Sequence, residues 1–118
     1  MNWRHKAVVV LLLVVVCLPA SARPISFAPG TTSGTVRGTA FGGATDIWTL
    51  RARKGQTMHV RLLAVDGEAH FDVAPPGESL LAQNKVEYEG RLGRTGTYTI
   101  SVYTESVHAN YHLVVTLK

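Results

Sequence analysis

Asp46-Ile47-Trp48-Thr49-Leu50-Arg51-Ala52-Arg53-Lys54-Gly55-Gln56-Thr57-Met58-His59-Val60-Arg61-Leu62 is the stretch that decides the fold. Trp48, Leu50 and Ala52 alternate with Thr49, Arg51 and Arg53, and Met58, Val60 and Leu62 alternate with Thr57, His59 and Arg61. A period of two sends successive side chains to opposite faces, as in a half-buried strand. Lys54-Gly55-Gln56 reads as a turn between the two runs. The pair is expected to form a β-hairpin with one apolar face and one basic face. Arg51, Arg53, His59 and Arg61 would line the basic side.

The same alternation continues in both directions. Phe71 and Val73 alternate with His70 and Asp72 until Pro75-Pro76-Gly77 ends the run. Val86, Tyr88 and Leu92 form a weaker pattern. Tyr98, Ile100 and Val102 form a strong one after the turn at Gly93–Gly96, and Tyr111, Leu113, Val115 and Leu117 end the chain. Upstream, Ile25–Phe27 and Thr35–Phe41 read as strands, whereas Leu80–Asn84 reads as a turn of helix. About eight short strands with Gly- and Pro-rich turns predict an all-β antiparallel sandwich, each sheet with one dry and one wet face.

The head of the chain follows a different pattern. Arg4, His5 and Lys6 precede an apolar run of 12 residues, Ala7–Leu18, then Pro19 and the small residues Ala20-Ser21-Ala22. That order is a secretory signal, and the run falls short of the roughly 20 residues a membrane-spanning helix needs. Residues 1–22 are expected to be removed near Ala22, leaving 23–118 as one exported domain, periplasmic or secreted. Val14-Val15-Val16 lacks the small residues of lipoprotein processing, so Cys17 reads as one more apolar residue of the signal. Removal leaves no cysteine for a disulfide. It also takes Lys+Arg from 12 to 10 against 8 acidic residues, a net charge of +2. So small a charge on an exported chain argues against nucleic acid as a partner, and no second apolar run ties the mature chain to a membrane.

Here the residues resemble a known family. Asp46-x-Trp48-x-Leu50, then Gly55-Gln56, then alternating apolar residues is similar to the pre-peptidase C-terminal (PPC) type of domain. Pro76-Gly77, Gly96–Val102 and Asn110–Leu113 are similar to that group's second half. Within the group the chain most resembles the periplasmic inhibitors of g-type lysozyme. It shares Phe27-x-x-Gly30 and the Ala52-x-Lys54-Gly55-Gln56-x-x-His59-Val60 run. The resemblance implies a PPC-like sandwich and a non-enzymatic binding protein whose partner is a g-type lysozyme, blocked by occlusion of its cleft. As the family is known, its connection between the last two strands is longer and basic; here Glu105–Ala109 is short and carries no Arg or Lys.

Other chemistries find little support in the residues. No Gly-x-Ser-x-Gly elbow exists. Asp66, Glu68 and Asp72, or Glu87 and Glu89, read as solvated acids and not as the spaced carboxylate pair of a glycosidase. His108 and His112 are four apart across a loop-to-strand transition, and His59 with His70 guarantees no convergence, so no metal site or cofactor is expected. Asp66-Gly67-Glu68 lacks the dense oxygen ligands of a calcium loop.

The basic residues read first as a solvated face, and second as a docking surface for an acidic protein or an anionic wall polymer. Phe41–Thr45 and Tyr103–Asn110 are expected at one end of the sandwich. Asp46, Tyr103, Glu105 and His108 are the expected partner contacts. A stand-alone module binding peptidoglycan or another wall glycan is the alternative reading.

Overall fold

The computed structural model describes residues 22–77 and 80–118. The expected signal segment, Cys17 included, lies outside the described residues apart from Ala22. Among the described residues there are nine strands and no helix. They are β1 (Arg23–Pro24), β2 (Ser33–Phe41), β3 (Asp46–Ala52), β4 (Thr57–Ala64), β5 (His70–Ala74), β6 (Ala82–Lys85), β7 (Glu87–Arg91), β8 (Gly96–Tyr103) and β9 (His108–Leu117). One sheet runs β1-β3-β8-β5-β6 and the other β2-β9-β4-β7. All pairings are antiparallel except the short parallel one between β1 and β3. The molecule is thus the expected all-β sandwich.

The period-two pattern explains the core. Trp48, Leu50 and Ala52 of β3, Tyr98, Ile100 and Val102 of β8, and Phe71 and Val73 of β5 point inward from the first sheet. Met58, Val60 and Leu62 of β4 meet them from the second sheet, with Tyr111, Leu113 and Val115 of β9. Burying each large side chain contributes roughly 1.5–3 kcal/mol. With no cysteine after Cys17, this packing takes the stabilising role that disulfides have in many small secreted domains.

The expected hairpin does not form. β3 pairs with β8, in register Leu50↔Tyr98. β4 pairs with β9 and β7, in register Val60↔Val115 and Val60↔Tyr88. The two strands therefore belong to different sheets and face each other across the core. The Lys54-Gly55 turn exists, with Gly55 at φ +93° where only glycine is comfortable. Besides its local bond from Gln56 N–H to the Arg53 carbonyl at 3.1 Å, it bonds to a third segment. Gly55 N–H donates to the Leu92 carbonyl, and Leu92 N–H donates to the Gln56 carbonyl, both at 2.8 Å. The connection is an arch over the end of the core.

Two smaller expectations also change. The segment read as a turn of helix holds edge strand β6, in which Asn84 adopts φ +55° while its N–H donates to Asp72 Oδ1 at 2.8 Å. The first strand lies at Arg23–Pro24 and not at Ile25–Phe27. Ile25 N–H still donates to the Thr49 carbonyl at 2.8 Å before the chain leaves the sheet.

Candidate functional site

Three connections meet at one end of the sandwich, and each crosses from one sheet to the other. Residues 42–45 join β2 to β3, residues 65–69 join β4 to β5, and residues 104–107 join β8 to β9. The register Phe41↔His108 and His70↔Tyr103 holds their roots together. Loops fixed this way on rigid strands are where sandwiches carry recognition.

The three are tied to one another. Gly42 N–H donates to the Val107 carbonyl at 3.0 Å, and Val65 N–H to the Asn110 carbonyl at 2.7 Å. Thr104 is buried; its hydroxyl donates to the Glu68 carbonyl and accepts the Ser106 N–H at 3.0 Å. The Asp66 carboxylate accepts the backbone N–H of Asn110 at 2.7 Å and its side-chain amide at 2.9 Å. Those donors, the backbone one first, hold Asp66 below the ordinary carboxylate pKa. The loops approach so closely that a Cβ on Gly42 would lie 2.6 Å from the Ser106 carbonyl oxygen. One on Gly67, at φ +71°, would lie 2.8 Å from the His108 carbonyl oxygen.

This tied end displays apolar side chains to water. Val107 is 86% exposed, Val65 68% and Phe41 57%. Single exposed apolar residues are ordinary, but three at the tip of one rigid end form a contact surface of the kind interfaces use. Glu105 and His108 are exposed beside them, with His108 Nε2 4.0 Å from Asp66 Oδ2. Of the expected contacts, Glu105 and His108 therefore sit on this end. Phe41, Val65 and Val107 were missed individually. Phe41 occupies an outward position of a strand whose other outward residues are Ser33, Thr35, Arg37 and Thr39, a signal the sequence did carry.

Asp46 and Tyr103 stand at the roots of this end, each engaged by neighbours. Asp46 opens β3, just inside the loop end, and its carboxylate accepts the Tyr111 hydroxyl proton. Tyr111 in turn accepts the Trp48 Nε1–H at 2.8 Å, and Arg23 reaches Asp46 Oδ1 at 2.6 Å. The Arg23 guanidinium also lies 4.0 Å from the centre of the Trp48 ring. Burial first, and then the bond to Asp46, raises the Tyr111 pKa well above 10. Asp46 thus anchors the loop root from within. Tyr103 lies on the outer face of β8, where its hydroxyl donates to Asp72 Oδ1 at 3.1 Å.

The expected basic face is divided by the arch. Arg51 projects from β3, with Arg53 just beyond it, whereas His59 and Arg61 project from β4 in the other sheet. His59 Nε2 lies 2.7 Å from Glu87 Oε2 on neighbouring β7. Two strands facing each other across a core turn their outer residues in opposite directions, so the four never share a surface. Among the described residues, no three His, Cys, Asp or Glu side chains converge as a metal site.

No protein-family description and no curated protein sequence matches the chain. Solved structures do. A periplasmic inhibitor of g-type lysozyme from Aeromonas hydrophila is 27% identical, with a TM-score of 0.74 over 83% of this chain and 96% of that one. The inhibitor of g-type lysozyme from Salmonella Typhimurium is 22% identical, with a TM-score of 0.67 over 85% of this chain and 100% of its own. A pre-peptidase C-terminal domain of a Bacillus anthracis collagenase shares the fold at 17% identity and a TM-score of 0.62, over 86% of this chain and 98% of that one.

Proposed function

We propose that this chain is an exported, periplasmic binding protein that inhibits a g-type lysozyme by entering its glycan cleft with the loop end. The observation that carries the reading is the convergence of Phe41, Val65 and Val107 on three mutually tied connections, with Glu105 and His108 beside them. Likeness to structures described as inhibitors of g-type lysozyme supports the partner, and their description as periplasmic supports the compartment. The mechanism is steric and involves no turnover. A pre-formed tip loses little conformational entropy on docking, so the apolar contact it makes is not offset by ordering. Affinity is expected to concentrate in the few apolar side chains at its centre. Glu105 supplies a carboxylate, and His108 an imidazole, to polar groups at the rim. The absence of Arg and Lys from Glu105–Ala109 means that no guanidinium or ammonium on this loop pairs with an enzyme carboxylate.

The test is cell-wall lysis by g-type, c-type and i-type lysozymes, each titrated with the purified protein and with Val107→Asp. Selective, saturable loss of g-type activity is expected. Val107 is so exposed that its replacement leaves stability within about 0.5 kcal/mol, and the variant is expected to lose at least tenfold in inhibition. No inhibition at high excess, together with sedimentation of the protein on insoluble peptidoglycan, would replace this reading with that of a wall-binding module.

A further inference from the structure

The opposite end of the sandwich carries a feature that the loop-end reading does not use. Two adjoining grooves of about 350 and 450 Å³ share Phe27, Arg51 and Leu117 in their walls. Ile25 and Leu50 line the apolar side of one, and Thr31, Thr32 and Gln56 the polar side of the other. The gap exists because β1 stops at Pro24 and the chain then crosses to the second sheet. There Phe27 packs against Gly34, whose position would place a Cβ 2.7 Å from the ring.

The charge at this groove is one-sided. Arg51 and Arg53 line it and are exposed. The Arg51 guanidinium has only a long 3.4 Å contact to the Thr97 hydroxyl, and no acidic side chain pairs with either arginine among the described residues. The edge backbone is open as well. Thr49 gives its carbonyl to Ile25 on the β1 side, so by strand alternation the N–H and carbonyl of Arg51 face the same side, beyond the end of β1. An apolar wall, two guanidinium forks and free edge groups together match a compact anion on a short apolar body. Arginine binds carboxylate and phosphate bidentately, and volumes of this size are typical of small-ligand sites.

We infer that this groove is a binding site for a small amphipathic anion, its head held by Arg51 and Arg53 and its tail laid on Phe27, Ile25 and Leu117. The site is at the far end from Phe41, Val65 and Val107, so it stands or falls separately from lysozyme inhibition.

The test is amide NMR of the purified protein titrated with octanoate, octyl phosphate, octanol and acetate. Saturable shifts are expected at Thr31, Thr32, Arg51, Arg53 and Leu117 with the two amphipathic anions, the stronger of which identifies the head group. Octanol and acetate are expected to bind at least tenfold more weakly, since each lacks half of the recognition. The Arg51→Gln/Arg53→Gln double variant, both positions exposed, is expected to keep its fold by circular dichroism. It should lose at least tenfold in affinity for the anions while its response to octanol is unchanged. Absence of saturable shifts, shifts centred elsewhere, octanol equal to octanoate, or an unchanged double variant would each overturn the assignment.

Discussion

Tyr111→Phe removes one oxygen from a network that joins both sheets at the root of the loop end. The hydroxyl donates to the Asp46 carboxylate and accepts the indole N–H of Trp48. The ring is almost fully buried and Trp48 only 5% exposed, so water does not replace the lost bond at the indole. An unsatisfied buried donor costs about 1–3 kcal/mol, and a hydrogen bond to a charged group contributes about 1.5–3 kcal/mol. Asp46 keeps Arg23, whose half-exposed ion pair is screened and offsets little. The net expectation is a loss of about 2–4 kcal/mol. For a domain of this size that lowers Tm by roughly 10–20 °C.

The assay is urea unfolding of wild type and variant, with an unchanged m value required for the comparison. A second readout separates this from a simple packing change. Tyr111 holds its proton more firmly folded than unfolded, chiefly because it is buried and then because it is bonded to Asp46. The stabilisation is therefore complete below pH 10 and declines as pH rises above it. The variant is expected to flatten that alkaline decline. A loss below about 1 kcal/mol, or an alkaline slope identical to wild type, refutes the account of the network.

Other outcomes follow from single features. Gly42→Ala is expected to cost about 1–3 kcal/mol, because its Cβ would meet the Ser106 carbonyl at 2.6 Å and must push the loops apart; thermal melting and the lysis assay together read both effects. Asp66 titrates below the ordinary 3.8 because it is bonded to Asn110, so the contact is intact above that pH and is lost as pH falls through the lowered pKa. The Asn110 amide NMR signal is expected to move with that midpoint and to stay still in Asp66→Asn. Phe71→Ala empties a fully buried position between β6 and β8 and is expected to cost about 3–5 kcal/mol in chemical unfolding. Arg23→Ala removes a partly exposed ion pair and a cation–π contact, with an expected cost of about 1 kcal/mol.

The strands were legible because burial on one face imposes a period of two, and that face is where the sequence is most constrained. What the pattern leaves open is which strand lies beside which. Trp48-Leu50-Ala52 and Met58-Val60-Leu62 present the same alternation whether they share a sheet or oppose each other across the core. The partners that decide it, Tyr98 and Val115 among them, are remote in sequence. A local turn signal at Gly55 favoured the wrong choice. Helix-forming Leu80, Leu81 and Ala82 lead into β6, but there an edge position, a register shift beside Val73 and the Asp72 contact to Asn84 prevail over local propensity. At the loop end, the position of Glu105 and His108 was legible because their segment reads as a connection. Phe41 and Val107 entered only as members of their loops and Val65 not at all, because apolar residues are read first as core. The bonds of Asp46 were not legible, because its two partners come from 23 residues upstream and 65 downstream.

The place of β9 also bears on how the chain folds. β9 lies between β2 and β4, so the second sheet cannot close until its last ten residues, His108–Leu117, are available. The partner of Ser33 is Thr116, 83 residues further along the sequence. Contacts so remote slow folding, since chain entropy must be surrendered before any ladder rewards it. A chain with this wiring is expected to complete its second sheet only once the last strand is in place. A version ending at Val107 is accordingly expected to show no cooperative unfolding transition by circular dichroism. The same strand order that ties the finished sandwich together thus serves as a built-in delay in its assembly.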